Sequence, residues 1–372
     1  MKNDIFRKRI EKVRKILREK NFDALILTAE ADVSYLSGFR GDDSWLVLAG
    51  RGVWLVTDSR YTLAAKKECS GCKIYERKGA MTEAVADIFK KIPAVKTVAV
   101  EDKIETALFE ILKKKIPVRL AALKSPAAFV RQIKDEIEAE AIREAAAVAQ
   151  KALGRVLSKI YAGVSETEVA AMLDFELKKT GAQPAFEAIV AFGSNSAMPH
   201  HRPTTRKLKK IDTILIDFGA KLNGYCCDIT RCFAVGRIDD FYRKVYKAVF
   251  CAQGRAMQMV KSGASAKKVD AAAKEVIRSS KLPVFGHGTG HGLGLEVHER
   301  PVVSVLSKDV LQQGNVVTIE PAVYLAGKFG IRIEDNILVT DKGCEILSSL
   351  LKSDEVPVFK YKKSKIKYKK YK

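Results

Sequence analysis

All five histidines of the chain fall in two short segments between residues 200 and 298. Three of them lie in the glycine-rich stretch 286–299, GHGTGHGLGLEVHE, and the other two, His200 and His201, are adjacent. Histidines clustered among glycines are typical of metal or catalytic sites, because glycine allows the backbone to approach a bound group closely. We therefore predict a functional site here and look for its further ligands.

One apolar hairpin pattern carries two aspartates. Residues 214–236, ILIDFGAKLNGYCCDITRCFAVG, form two predicted strands around Asn223-Gly224, a strong turn signal. A simple hairpin centred between residues 222 and 223 places Asp217 directly opposite Asp228, with Cβ atoms about 4.5–5.5 Å apart. Two buried like charges at that distance repel and need a cation between them. The alternatives are a bulge that turns one aspartate to solvent, or an ion pair with Arg231.

A second hairpin pattern repeats this arrangement with glutamates. In residues 316–339, Glu320 and Glu334 lie in apolar strands on either side of a turn centred on Gly327, and Arg332 is beside the second glutamate. One carboxylate pair is weak evidence for a site. Two pairs together with a histidine cluster are hard to explain as solvated strand faces, and they indicate a metal centre.

The ligand types suit two divalent cations. Four carboxylates balance a charge of about +4, and oxygen ligands with one imidazole favour manganese, cobalt, iron or zinc over an all-cysteine structural zinc site. Two such ions about 3.5–4 Å apart can share a bridging hydroxide and stabilise both ends of a hydrolytic displacement. The predicted chemistry is metal-assisted hydrolysis.

The elements that position these residues form two predicted regions. The first region alternates strands and helices and predicts an α/β domain that ends near residue 127. It begins with an amphipathic helix whose apolar face holds Ile5, Ile10, Val13, Ile16 and Leu17. The predicted strands are 24–29, 44–50, 52–58, 73–77 and 97–102, with a helix over 105–116. In the second region a long helix is predicted from about residue 126 to 161, followed by helices 165–180, 239–262 and 266–279 that alternate with strand pairs.

Composition narrows the class of protein. Of the 372 residues, 47% are hydrophobic, which permits a sizeable core, and no apolar run approaches the roughly 18–20 residues that span a membrane. The N-terminus lacks the apolar region of a secretory signal, and an odd number of cysteines, seven, argues against a disulfide framework. We therefore predict a cytoplasmic protein. The net charge is +22, and the lysine-rich tail 357–372 is predicted to be disordered.

Several blocks resemble a known family in their order along the chain. SNSAMPHHRPTTRKL, IDFGAKLNGYCCDITRCFAVG, GHGTGHGLGLEVHE, TIEPAVY and GIRIEDNILV are similar to the signature segments of the metallopeptidases that include Xaa-Pro aminopeptidase, prolidase, methionine aminopeptidase and creatinase. The resemblance implies an α/β (α+β) fold. A creatinase/prolidase-like N-terminal α/β domain over 1–127 would precede a pita-bread catalytic domain over 128–356, and residues 357–372 would be the tail.

The resemblance also assigns roles to individual residues. The implied metal ligands are Asp217, Asp228, His291, Glu320 and Glu334. Asp228 and Glu334 would bridge the two metals, and Glu320 would also act as the general base. His200 and His298 would lie near the scissile carbonyl and act in catalysis. The implied substrate-binding residues are His287, Tyr324 and Arg332, of which Arg332 would orient a carboxylate of the protein or of the substrate. His201 is expected to be a neighbour without a role.

The implied activity is release of the N-terminal residue from peptides with proline at position 2, with manganese first among the candidate metals. A prolidase that cuts only Xaa-Pro dipeptides is the nearest alternative, and the motifs do not separate the two. Methionine aminopeptidases lack this N-terminal domain, and creatinase departs from the full ligand set. A nucleic-acid-binding or protein-binding module, motivated by the basic tail, is opposed by five intact ligand positions. The family favours homodimers and homotetramers.

Overall fold

The computed structural model describes residues 2–69 and 71–359, and most of the lysine-rich tail lies outside the described residues. The chain divides after Arg131 into two compact units. No helix in the described ranges is both long and apolar enough to span a bilayer.

The first unit is a mixed α/β unit built on one six-stranded sheet, in the order β4-β3-β2-β1-β5-β6. Its strands are β1 (Ala24–Leu27), β2 (Trp45–Ala49), β3 (Gly52–Thr57), β4 (Lys73–Glu76), β5 (Thr97–Glu101) and β6 (Arg119–Leu123). Its helices are α1 (Lys2–Glu19), α2 (Glu30–Ser37), α3 (Thr62–Glu68), α4 (Met81–Lys90), α5 (Thr106–Lys115) and α6 (Pro126–Val130). The five predicted strands and the N-terminal helix are confirmed, and β6 was missed because its sequence, RLAAL, is short and alanine-rich.

The second unit contains four helices and fourteen strands among the described residues. The helices are α7 (Glu136–Leu157), α8 (Glu166–Lys178), α9 (Asp240–Met259) and α10 (Ala266–Ser279). The strands are β7 (Gln183–Pro184), β8 (Ile189–Phe192), β9 (Asp212–Phe218), β10 (Ala220–Leu222), β11 (Tyr225–Cys226), β12 (Ile229–Val235), β13 (Gly290–Gly292), β14 (Glu299–Val303), β15 (Val316–Ile319), β16 (Ala322–Leu325), β17 (Phe329–Arg332), β18 (Asp335–Val339), β19 (Cys344–Ile346) and β20 (Val358–Phe359).

The single long helix predicted over 126–161 is wrong, because the chain forms two helices there. α6 ends at Val130, and α7 begins after the N-cap Asp135. The Asp135 side chain accepts a hydrogen bond from the Glu138 N–H, and the Glu138 side chain accepts one from the Asp135 N–H, which forms a capping box. The apolar spacing continues across the break, so the spacing alone did not locate this helix start.

The core of the second unit lies on both faces of the sheet that contains β9 and β12. Alternate residues of a strand face opposite sides. Ile214 and Ile216 of β9 therefore pack with α7 and α8, while Leu215 packs with α9 and α10. Asp217 follows the same alternation and shares the face of Leu215, and Thr230 shares the face of Cys232 on β12. The strand period thus directs Asp217 toward the side on which β15 and β17 lie.

Candidate metal centre

Asp217 and Asp228 belong to one hairpin, but they are not directly opposite each other. In the ladder between β9 and β12, Asp217 pairs with Thr230. The predicted opposite placement is wrong because the turn is centred between Asn223 and Gly224, one residue later than predicted. Both turn residues have positive φ, 53° and 89°, as a two-residue turn of this kind requires. The two aspartates are therefore diagonal neighbours on one face, which keeps their side chains within reach of each other.

The second hairpin has the predicted symmetry. β16 pairs with β17 and β15 pairs with β18 in one continuous register about Gly327, whose φ is 72°. The ladder is interrupted at Glu320 and at Glu334, where the ribbon passes from the five-stranded sheet into the two-stranded one. The Glu320 N–H donates to Thr289 O (2.8 Å), and the Glu334 N–H donates to Thr230 O (3.2 Å). Each glutamate is thereby held by an element outside its own hairpin.

His291 completes the cluster from β13. Its Nδ1 lies 3.0 Å from the carbonyl oxygen of Gly292, which can only accept a hydrogen bond, so Nδ1 carries the proton and Nε2 presents a lone pair. That Nε2 is 3.7 Å from Asp228 Oδ2 and 3.6 Å from Glu320 Oε1. Burial, and then the neighbouring His298, lower the pKa of His291 to about 4, so the ring is neutral at pH 7. A neutral imidazole with an oriented lone pair is the form that binds metals.

The carboxylates lie close together and are buried, and of the four Asp217 forms an ion pair with an arginine, Arg332. Ligand atoms of Asp228, His291 and Glu334 all lie within 4.8 Å of one another. One oxygen of Asp217 and one of Asp228, both Oδ1, are buried without a hydrogen-bond partner. Burial raises the pKa values of Asp228 and Glu334 well above their ordinary range, and repulsion among the four carboxylates raises them further. Buried, crowded acids with unpartnered oxygens fit divalent cations, which would relieve both penalties.

Glu320 differs from the other three carboxylates in being partly open to solvent. Its side chain is 18% exposed, against 8% for Asp228. Burial raises the pKa of Glu320 to about 8, although Arg332 acts in the opposite direction.

Arg332 is buried beside the cluster, and all of its side-chain N–H groups are directed to acceptors of the protein. It donates to Asp217 Oδ2, to the Tyr324 hydroxyl through Nη1 and to Thr230 Oγ1 through Nε (3.2 Å), with weaker contacts to Pro199 O at 3.4 Å. Burial alone would lower the pKa of Arg332, but the charge on Asp217 raises it well above its ordinary value. Arg332 therefore forms an ion pair with a carboxylate of the protein, Asp217.

A hydrogen-bond chain continues from Arg332 to His287. Nδ1 of His287 donates to Gly288 O (2.7 Å), and burial lowers the pKa of this histidine to about 4. The neutral ring must then accept at Nε2, where the Tyr324 hydroxyl lies 3.2 Å away. The hydroxyl hydrogen of Tyr324 thus points to His287 and its oxygen accepts from Arg332.

His200 and His298 lie on the solvent side of the cluster, and both are exposed. The ring of His298 is 4.3 Å from the ring of His291, centroid to centroid. His200 is close enough to His287 for a positive charge on His200 to lower the pKa of His287. The structure therefore gathers all ten predicted site residues around one cluster, with carboxylates buried and two imidazoles outward.

The sequence did not reveal the residues that support the ligands. The Thr230 hydroxyl donates to Glu334 Oε2 (2.6 Å), and the Asn336 side chain bonds both the N–H and the carbonyl of Asp228. Arg231 does not pair with Asp217 or with Asp228, the alternative that the sequence left open. It donates to Asp335 Oδ1 (2.7 Å) and to the carbonyl of Glu334. In the sequence, these supporting residues were marked only by being polar residues in apolar strand segments, close to the predicted ligands.

Thr230→Val tests this support. Valine has nearly the same shape but cannot donate to Glu334 or accept from Arg332. We expect metal affinity to fall about 10- to 100-fold, as is typical when a residue that orients a metal ligand is removed. Titration of Mn²⁺ into metal-free protein measures the change. Thr180→Val is the control, because the Thr180 hydroxyl donates to Leu177 O at the end of α8. Equal affinities in both variants would contradict the role of Thr230.

Comparison with known proteins identifies the family of the chain. Residues 140–341 match the sequence model of metallopeptidase family M24, and residues 9–133 match that of the creatinase/prolidase N-terminal domain. The chain belongs to the metallopeptidase family M24. Membership confirms the fold class predicted from the resemblance and makes the chain a metallo-hydrolase whose family uses divalent metal ions.

Individual relatives cover nearly the whole chain. A protein named Xaa-Pro dipeptidase from Pyrococcus horikoshii is 32% identical over 350 residues, which is 93% of this chain and 98% of the relative. A structure of an Xaa-Pro dipeptidase from Bacillus anthracis is 33% identical, with a TM-score of 0.91 over 95% of this chain and 99% of the other. A structure of an X-Pro aminopeptidase from Thermotoga maritima is 36% identical, with a TM-score of 0.85 over 91% and 98%.

Proposed function

We propose that this chain is a metal-dependent exopeptidase that releases the N-terminal residue from peptides with proline at position 2. The observation that carries the proposal is the grouping of Asp228, Glu320 and Glu334 around the neutral His291, with Asp217 near enough to raise the pKa of Asp228 and with His200 and His298 exposed. The preference for proline comes from the relatives, whose names specify Xaa-Pro bonds. Proline lacks an N–H and has a fixed φ, so its peptide bonds need a dedicated site.

Asp217, Asp228, His291, Glu320 and Glu334 would hold two divalent cations. When bound, such cations supply Lewis acidity and lower the pKa of water. Carboxylate oxygens with a single imidazole favour manganese, with cobalt, zinc or iron as the alternatives. Asp228 and Glu334, the most enclosed of the four acids, would face both ions.

The partly exposed Glu320 is the carboxylate that a substrate can reach. It would accept a proton from the attacking water at Oε and return it to the proline nitrogen as the peptide bond breaks. His200 and His298 project on the same side and would donate hydrogen bonds to the carbonyl oxygen as negative charge develops there. Arg332 and Tyr324 act from below by keeping Asp217 and His287 in place.

The contacts of Arg332 bear on whether this residue could bind the carboxylate of a dipeptide substrate. In an Xaa-Pro dipeptide the terminal carboxylate is only one residue from the scissile bond, so a dipeptidase needs a cation close to the reacting atoms. The five N–H groups of Arg332 are directed to Thr230, Tyr324, Asp217 and Pro199, and the residue is 4% exposed. Arg332 therefore offers no donor to a substrate carboxylate. The dipeptidase alternative is supported by the names of two of the three relatives described above.

Hydrolysis of a short peptide series with added Mn²⁺ tests the proposal. We expect cleavage of Ala-Pro-Ala to Ala and Pro-Ala, slower cleavage of Ala-Ala-Ala, and no cleavage of N-acetyl-Ala-Pro-Ala. Asp228→Ala is expected to remove the activity and His298→Ala to reduce it. Cleavage of Ala-Pro but not Ala-Pro-Ala would make the protein a dipeptidase. Absence of cleavage with manganese, cobalt, zinc and iron would refute both activities.

We also propose a domain organisation, an assembly and a location for the protein. The catalytic domain would span residues 128–356, after an N-terminal domain over 1–127 and before a basic tail over 357–372. We propose peptide substrates, a homodimeric or homotetrameric assembly and a cytoplasmic location.

A further inference from the structure

Glu166 is a completely buried carboxylate that gathers five hydrogen bonds from a single stretch of chain. Oε1 accepts from Phe192 N–H (2.8 Å) and from Asn195 Nδ2 (2.9 Å). Oε2 accepts from His201 Nε2 (2.9 Å), from Thr204 N–H (2.9 Å) and from the Thr204 hydroxyl (2.6 Å). The residue is 0% exposed at the start of α8. Segment 192–204 is therefore wrapped around one negative charge.

The histidine in this set donates to the carboxylate. Burial favours the neutral form of Glu166, but the hydrogen bonds from Thr204, His201 and Phe192 outweigh it and lower the pKa of Glu166 below its ordinary value. An ionised carboxylate only accepts, so Nε2 of His201 carries the hydrogen. His201 is 7% exposed and enclosed with its partner. The sequence-based expectation that His201 has no role is difficult to reconcile with a buried, charge-assisted hydrogen bond of this kind.

His200 lies inside the wrapped segment and has the opposite surroundings. It is exposed, and within the described ranges no hydrogen bond holds its ring. The backbone therefore sets the position and the Cα–Cβ direction from which the imidazole can reach the metal centre. That backbone is held on the C-terminal side by the His201–Glu166 contact and on the N-terminal side by Arg332, whose guanidinium lies 3.4 Å from Pro199 O.

A second contact ties the same segment to the hairpin that carries Glu334. The Gly330 N–H donates to Ser196 Oγ (2.8 Å), and the carbonyl of Ser196 lies where a side chain at residue 330 would have to go. Segment 192–204 is thus fixed to β17 on one side and to α8 on the other. Among the contacts with Glu166, the one made by His201 is covalently next to His200, and at 2.9 Å it is shorter than the 3.4 Å contacts of Arg332 with Pro199 O on the other side.

We propose that Glu166 and His201 are positioning residues, which hold His200 at the metal centre so that its ring can reach the reacting carbonyl. The inference rests on the proposed function, in which His200 contacts the substrate. It adds that α8, a helix without a predicted ligand, controls the placement of a catalytic group. His201 acts through the His200 backbone and does not touch substrate.

A double-mutant cycle on the manganese-loaded enzyme tests this placement with Ala-Pro-Ala as substrate. We expect His201→Ala to lower kcat about 10- to 100-fold with little change in KM, because a displacement of about 1 Å at a catalytic group has effects of that size. His201→Gln, whose amide nitrogen can occupy the place of Nε2, should recover most of kcat. In a His200→Ala background, His201→Ala should have no further effect on kcat. A purely structural role would instead give independent, additive losses, and that result would overturn the proposal.

Two further variants and a structural readout make the outcome decisive. Glu166→Gln should lower kcat as His201→Ala does, and Arg202→Ala should leave kcat unchanged, because Arg202 is exposed and makes no hydrogen bond or ion pair among the described residues. Tm values identify any variant that is poorly folded. Crystal structures of the wild type, of His201→Gln and of His201→Ala should show a displaced His200 ring only in His201→Ala. If the His200 ring does not move in His201→Ala, the proposal is overturned, whether or not the wild type cleaves proline peptides. If the ring moves but the wild type is inactive, only the proposed function is refuted.

Discussion

Replacing Asp228 with asparagine is expected to abolish peptide hydrolysis while making the metal-free protein more stable. Asparagine keeps the shape of the side chain but removes one of four negative charges. Metal ions contribute several kcal/mol to hydrolytic transition states, so losing one of the proposed ligands should cost about a thousandfold or more in kcat. In the metal-free protein the same charge is buried near Glu334, Asp217 and Glu320, and its removal relieves their repulsion.

Two measurements separate these effects. Steady-state hydrolysis of Ala-Pro-Ala gives the loss of kcat, and thermal unfolding in chelator at pH 8 gives the change in stability. We expect Tm of the metal-free variant to rise by several degrees, since 1 kcal/mol corresponds to roughly 2–4 °C in a domain of this size. Asp341→Asn, which changes the same group at an exposed position, should alter neither quantity. A metal-free variant less stable than wild type would contradict the repulsive cluster.

Raising the pH from 6.5 to above 8 is expected to destabilise the metal-free protein. Glu320 has a folded-state pKa of about 8, against 4.5 in the unfolded chain, and those of Asp228 and Glu334 are also raised. Such groups stabilise the fold while they are protonated, and this stability is lost as pH rises through the folded pKa. Each excess proton held by the folded state lowers the free energy of unfolding by about 1.4 kcal/mol per pH unit.

The chosen pH window excludes an opposing contribution from histidine. Burial lowers the pKa values of His287 and His291 to about 4, so these rings stabilise the fold above pH 6.5, and this stability is lost as pH falls toward 4. Between pH 6.5 and 8 that contribution is constant, and this range also lies below the ordinary pKa of the cysteine thiols, so the slope reports the buried carboxylates. Thermal unfolding of chelated protein at several pH values measures the slope. With Mn²⁺ bound, Tm should no longer fall with pH, and a metal-free Tm that stayed constant would contradict the raised pKa values.

The sequence was most informative where chemistry and strand period coincide. Asp217, Asp228, Glu320 and Glu334 were recognisable because a charged residue in an apolar strand must have a partner. The histidine cluster in 286–299 indicated the segment that supplies the imidazole, His291, and the order of the motifs indicated the fold. Helices α8, α9 and α10 were also located correctly, since Ser165, Asp239 and Ser265 precede clear helical spacing.

The errors have two physical causes. The register of the first hairpin depends on whether the turn is centred between residues 222 and 223 or between 223 and 224. The apolar pattern of the two strands is compatible with either centre, so it did not decide between them. The supporting contacts depend on residues far apart in sequence, such as Glu166 with His201 or Thr230 with Glu334. Such pairs leave no local pattern, because serine, threonine and glutamate at these positions are equally compatible with a surface.

The dependence of activity on added metal tests the central claim most directly, namely that these five side chains form a two-ion hydrolytic centre. Wild-type protein stripped with chelator and dialysed would be titrated with Mn²⁺ while hydrolysis of Ala-Pro-Ala is followed. We predict no hydrolysis without metal and a rise that saturates at two ions per chain. Full hydrolysis by the stripped protein, or saturation without any metal bound to Asp217, Asp228, His291, Glu320 and Glu334, would contradict the account.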